Sequence, residues 1–262
     1  MSVLCCRVPD FLTTLTLRQH PDLTDSPLIL AGPDGAIWAA SSVARQCGVH
    51  AQMPLRQALA RCPDASVQEL DVQTGQQVQE ALLAALAAWR LPVEPLGWGL
   101  AYIDLHTVAA AQDDVGLLAA ELGRNVRRTL GDDLQPALGW DSGKFTARAA
   151  AIHTRPGNMK LVPKAQERGF LSTLPITTLP LPPQTLQQLH WLGICTLGQF
   201  ARLPATAVWQ RYGRMGKLAQ RWAQGRDDRP VRPGVLTGST AIEIDIDPPT
   251  GLLSLVAEAT MD

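Results

Sequence analysis

The chain has 262 residues, 46% hydrophobic and 18% charged, which is enough apolar material for real cores and argues against global disorder. Its formal net charge of −1 gives no overall nucleic-acid signal, and five cysteines without Cys-x-x-Cys spacing argue against a disulfide framework and a zinc site. No run of eighteen apolar residues predicts a membrane span, and Met1 to Arg7 is too soon charged for a signal peptide.

Val3 to Val8 reads as a first strand stopped by Pro9, and Phe11 to Arg18 as the start of a helix. Pro27 to Leu30 and Ala36 to Ala39 read as short strands around a Gly32-Pro33-Asp34-Gly35 turn. Ser41 or Ser42 then caps a helix stopped by Gly48, and Leu55 to Arg61 forms another, ended before Cys62-Pro63. Two amphipathic helices follow from the spacing of Val78, Leu82, Leu86 and Trp89 and of Val115, Leu118, Leu122, Val126 and Leu130. Between them, Val93 to Leu105 reads as a hairpin of strands. Ala137 to Trp140 is another strand, and a helix runs from about Lys144 to His153. This order predicts a small sheet with helices on one face, an α+β domain.

After Gly157 the texture changes. Pro175, Pro180, Pro182 and Pro183 mark a linker-like stretch, and the pattern from Gln184 to Gly225 is helical throughout. An acidic strand-like run, Ile242 to Asp247, lies beyond Pro233-Gly234. Between Arg202 and Arg232 stand eight basic residues, opposed only by Asp227 and Asp228, a local charge that can attract a phosphate backbone or simply solvate a helix face.

Within the helical part, Leu192-Gly193-Ile194-Cys195-Thr196-Leu197-Gly198 reads as a helix-hairpin-helix. Leu186, Leu189 and Leu192 line one helix, Gly193-Ile194 breaks it, and Thr196 caps the next. Amides at such a turn, together with the helix dipole, suit a DNA phosphate and read no sequence. Ile194 is expected to pack between the two helices. Gly193, Ile194, Thr196, Gly198, Arg202, Arg214 and Lys217 are the candidate DNA-binding residues. Arg211 to Lys217 offers a second Gly-broken turn. The competing reading is a plain helical corner of a bundle.

These segments together resemble Y-family DNA polymerases over roughly residues 3–232. Ala40 to Leu55, closing with Ala58 and Cys62-Pro63, resembles the fingers segment. Val93 to Leu105 resembles the hairpin that bears catalytic acids. Gly139 to Ala150, with Arg155-Pro156-Gly157, resembles the segment whose Lys meets the incoming nucleotide's phosphates. The resemblance implies a palm and fingers over 1–165 (fingers about 18–75) and a helix-hairpin-helix thumb over 166–232. Residues 233–262 would be a linker and the truncated start of a C-terminal region, with the little finger absent or truncated. Arg45 and Lys144 match triphosphate-contacting residues, and Phe11 matches the aromatic that screens against ribose. Each has a plainer reading as retained scaffold or core.

The departures concern chemistry. Polymerisation needs carboxylates that clamp two Mg²⁺ ions. The positions that the resemblance assigns to those carboxylates hold Cys6, Val8, Gly99 and Leu100. Asp10 is a possible substitute and Asp104 matches a position outside the metal site. The pattern therefore resembles the ImuB-type accessory proteins. That implies a non-catalytic, cytoplasmic, nucleoid-associated DNA-binding adaptor without cofactors. Such a protein bridges a sliding clamp, a RecA-like partner and an error-prone replicative-type polymerase in translesion synthesis. Gln188 to Leu192 is faintly similar to a clamp-binding peptide, although its apolar face marks it as core. Two alternatives stay open: an active error-prone polymerase using Mg²⁺ on displaced ligands, and a protein-interaction scaffold without DNA binding.

Overall fold

The computed structural model describes residues 2–32, 35–107 and 112–234. They divide into two units, one of residues 2–164 with 229–234 and one of residues 165–228.

The first unit is built around strand β1 (Val3–Arg7). Pro9 ends it, and Asp10, in the left-handed region at φ 54, turns the chain into helix α1 (Phe11–Gln19). Strands β2 (Leu28–Ala31) and β3 (Ile37–Ala40) pair antiparallel. Ser41 caps α2 (Ser42–Gln46) by accepting the Ala44 N–H, and α3 (Leu55–Arg61) follows. Strand β4 (Ser66–Glu69) adds parallel to β2, giving the order β3-β2-β4. Sequence patterning missed β4 because its four residues, none fully buried, carry no apolar alternation. Ile29, Ile37, Ala44, Val49, Met53 and Ala58 close this layer's own core.

The larger sheet takes β5 (Val93–Pro95), β6 (Leu100–Asp104), β7 (Ala137–Asp141) and β8 (Met159–Leu161) in the order β5-β6-β1-β7-β8. β1 is central and runs antiparallel to both neighbours. Its alternation sorts its residues between two faces. Leu4, Cys6 and Val8 pack with Ala101 and Ile103 against α4 (Val72–Ala87), through Leu82 and Leu86, and α5 (Gln112–Leu130), through Leu122 and Val126. Val3 and Cys5 pack with Tyr102 against Ala147 and Ala151 of α6 (Lys144–Ile152).

Helices thus cover both faces of the sheet, not one as the element order suggested. The reason is Gly139, paired with Cys5 on β7. A Cβ there would overlap the Ala147 carbonyl and the Ala151 amide, so only glycine lets the α6 backbone lie this close.

The stretch read as a linker is structured. It contains β8 and α7 (Lys164–Thr173). The helix shows little apolar periodicity, since only Glu167 and Leu171 are buried on it. In the second unit a 3-10 turn leads to α8 (Pro183–Trp191), α9 (Leu197–Ala201) and α10 (Ala205–Ala223). The second Gly-broken turn is a kink inside α10, at Gly213 (φ 61, ψ −152). Residues 229–234 return to the first unit, where the Gly234 amide donates to Val93 O at 3.1 Å. The run 242–247 lies outside the described residues. No described helix is long and apolar enough to cross a membrane.

Candidate active site and nucleic-acid interface

The period of two along β1 decides what stands where metal ligands were expected. Cys6 and Val8 face the α4 and α5 core, 0% and 3% exposed, so they line no open site. The residue between them, Arg7, points the other way and sits between Leu100 and Ala137. Gly99 adopts φ 65, and a Cβ there would come within 2.7 Å of Val8 O and 2.9 Å of the Phe11 Cβ. Its carbonyl accepts the Val8 N–H at 2.6 Å and its amide donates to Gln79 Oε1 at 2.8 Å. A carboxylate side chain therefore has no room at position 99.

The remaining acids do not converge. Asp10 is bonded to Arg45 Nη1 at 2.6 Å. Asp104 accepts the His106 amide at 2.9 Å and pairs with Val3, four residues along β1 from Arg7, or about 13 Å. Among the described residues no group of three His, Cys, Asp or Glu side chains could hold a metal ion. The side chains present do not fit a two-metal clamp.

Cations gather there instead. Arg7 is half-buried, and Asp10, Arg45 and Arg148 all act on its charge. Burial lowers its pKa from the usual arginine value; Asp10 opposes this, and the guanidinium groups of Arg45 and Arg148 add to it. His153, at the end of α6, is lowered by burial first and by Arg7 second. Beneath them the Cys5 thiol is pushed up to about 12 by burial. Sequence reasoning missed Arg7 and Arg148. The available signal was an arginine inside an otherwise apolar strand; nothing along α6 marked Arg148.

Lys144 does not join this group. It is 4% exposed, bonds both Glu94 carboxylate oxygens at 2.7 and 2.5 Å, and lies 5.3 Å from the Tyr102 ring centroid. The same carboxylate accepts the Arg232 amide at 2.5 Å, tying the returning segment to β5. Phe11 is 3% exposed and stacks on Trp98 with centroids 6.3 Å apart, which places it in the core. A groove of about 510 Å³ lined by Trp89, Glu121, Arg124 and Arg128 contains none of the predicted site residues.

In the second unit α8 ends in a Schellman turn. Gly193, at φ 76, donates to His190 O at 2.9 Å, and the Ile194 amide donates to Leu189 O at 2.9 Å. Thr196 caps α9 in a capping box with Gln199. The Gln199 Oε1 also accepts the Cys195 amide at 2.7 Å and the Thr196 amide at 3.0 Å. The Leu197 amide donates to Leu174 O at 2.9 Å. The turn has the expected conformation, yet these amides already have protein acceptors. Ile194 is only half-buried and Gly198 lies against Ser172. Arg202, Arg214 and Lys217 are exposed, with Lys217 5.5 Å from the Trp209 ring centroid. Leu189 is core, but Trp191 and Leu192 are 73% and 54% exposed, so the segment expected to be core presents its last two residues to solvent.

Residues 7–151 match the family model described as impB/mucB/samB family. The chain belongs to this family, the Y-family DNA polymerases. A relative named DNA polymerase IV from Dehalococcoides mccartyi (strain CBDB1) is 31% identical over 225 residues, covering 84% of this chain and 57% of that protein. Another of that name from Methanoculleus marisnigri is 30% identical over 271 residues, covering 99% and 74%. The chain thus spans a little over half the length of the first of these relatives. A DinB family error-prone DNA polymerase from Sulfolobus solfataricus shares the fold, with a TM-score of 0.74 at 20% identity, over 88% of this chain and 68% of that one. The mixed palm-and-fingers fold of the family is therefore present.

The comparisons overturn the expectation of a non-catalytic accessory. Nothing in them singles out an ImuB-type protein, and the relatives just described are named as polymerases. The comparisons show no clamp, RecA-like protein or second polymerase as a partner.

Proposed function

We propose that the chain is the palm, fingers and thumb of a DNA-directed DNA polymerase of the Y family, acting on primer–template DNA. The observation that carries this reading is that relatives named DNA polymerase IV match 84% and 99% of this chain at 31% and 30% identity. The thumb is the unit of residues 165–228, whose exposed Arg202, Arg214 and Lys217 suit a phosphate backbone. Complexes of the Dbh polymerase described as insertion ternary and post-insertion binary share the fold and support DNA as the partner.

In such enzymes Mg²⁺ supplies the activation of the primer hydroxyl and neutralises the triphosphate. Cys6, Val8, Gly99 and Leu100 offer no carboxylate to hold it. What the chain's own residues offer is charge for phosphates: arginines at the end of β1, and the exposed Arg202, after α9, and Arg214 and Lys217, on α10. The test is primer extension on a primed template with all four deoxynucleotides and Mg²⁺. Incorporation supports the polymerase reading. No added nucleotide with protein in excess over primer overturns it.

A further inference from the structure

We propose that Arg7, Arg148 and Arg45 form an anion site in which guanidinium groups, not a divalent cation, hold the phosphates of a nucleotide. The anion site stands on the structure; its assignment to a nucleotide rests on the polymerase reading.

Three observations carry it. First, the alternation of β1 turns Arg7 to the sheet face shared with α6, at the strand's end, flanked by Leu100 and Ala137. Second, Arg7 and Arg148 have no carboxylate partner within ion-pair distance among the described residues. The one acid nearby, Asp10, is engaged by Arg45 at 2.6 Å. Third, the charge around Arg7 is unbalanced: the guanidinium groups of Arg45 and Arg148 both act on it, and Asp10 is the one carboxylate among the described residues that opposes them. A half-buried arginine beside two others of like charge is costly unless an anion is the missing partner. Guanidinium groups suit that partner, because their planar fork binds phosphate oxygens in pairs.

The misfit of the metal clamp points the same way. A cation fixed at Arg7 repels Mg²⁺, so a phosphate reaching this corner meets positive charge supplied by the chain itself. Arg45 then has a divided role, bonding Asp10 and the Ala40 carbonyl in the free protein. Lys144, held by Glu94, contributes nothing to the site.

The experiment is calorimetric titration of the full chain with inorganic pyrophosphate in EDTA. Saturable binding is expected, weakened about tenfold by Arg7→Gln and by Arg148→Gln, one charge-assisted bond each. Circular dichroism checks the fold of Arg7→Gln, while Arg148 is exposed on α6 and its removal leaves the core intact. Displacement of pyrophosphate by dATP supports a nucleotide as the source of the phosphates. Displacement only by a single-stranded oligonucleotide keeps the anion site but overturns its assignment to a nucleotide. Binding that requires Mg²⁺, or that is unchanged in both variants, overturns the site. Primer extension is scored separately: its failure alone removes the nucleotide assignment and leaves the anion site, whereas failure of pyrophosphate binding removes the site and leaves the polymerase reading to its own assay.

Discussion

Lys144 and Glu94 form a pair whose side chains are 6% and 16% exposed, and the outcome of breaking it follows from that burial. Lys144→Met leaves a buried carboxylate whose strongest partner is gone, with the Arg232 amide still donating to it. Removing one member of a buried pair costs about 3–5 kcal/mol, because the survivor keeps its desolvation penalty. With a urea m-value of about 2 kcal/mol/M, a loss of about 4 kcal/mol moves the first unit's midpoint down by about 2 M.

Glu94→Gln should cost a similar amount, and it also loosens the hold on residues 229–234. Hydrogen exchange at the Gly234 amide, bonded to Val93 O, should therefore accelerate more in Glu94→Gln than in Lys144→Met. The double variant Glu94→Gln/Lys144→Met removes both charges and should recover most of the loss, giving a coupling of about 2 kcal/mol or more in a double-mutant cycle. Single variants within about 0.5 kcal/mol of the parent would refute the reasoning, since the pair would then be solvated.

Further outcomes are equally direct. Gly139→Ala should destabilise by about 1–3 kcal/mol in chemical denaturation, because its methyl meets α6 backbone that cannot rotate aside. Gly193→Ala should cost about 1 kcal/mol in the second unit from positive φ alone, since nothing crowds a Cβ there, and Gly193→Asn should cost less. A thiol reagent added to the native protein should label the exposed Cys47 and Cys195 rapidly and Cys5 and Cys6 only on unfolding, because burial both hides the latter and disfavours their thiolates. The Asp133 carboxyl is held below its usual range by its hydrogen bonds from Arg18, at 2.6 and 2.7 Å. A depressed carboxylate stabilises above its unfolded pKa and loses that contribution as pH falls through the folded value. Both partners are more than a third exposed, so Asp133→Asn should cost under about 1 kcal/mol at neutral pH and nothing in strong acid. Neutralising Arg214 and Lys217 should reduce the salt slope of DNA binding by roughly one unit per lost phosphate contact; an unchanged slope removes them from the interface.

Much of this protein is dictated locally. The proline after β1, the serine cap of α2, Gly48 after it and the Thr196–Gln199 capping box act over a few residues, so the boundaries they set can be read along the chain. The same holds for the Gly193 turn, where a glycine at positive φ and two short-range hydrogen bonds suffice. The order of segments likewise brought out the polymerase family.

Other features depend on contacts distant in sequence. Which face each β1 residue serves was decided by pairing with β6 and β7 on both sides, and this buried Cys6 and Val8 while turning Arg7 out. α6 covers the second face because Gly139 admits its backbone, a fact about two segments and not about either alone. Lys144 and Glu94 are fifty residues apart, and nothing in either segment announces their pairing. Burial and charge partners are properties of space. The sequence by itself determined the turns, caps and family; only the tertiary structure decided that, among the described residues, arginines and no cluster of carboxylates gather at the end of β1.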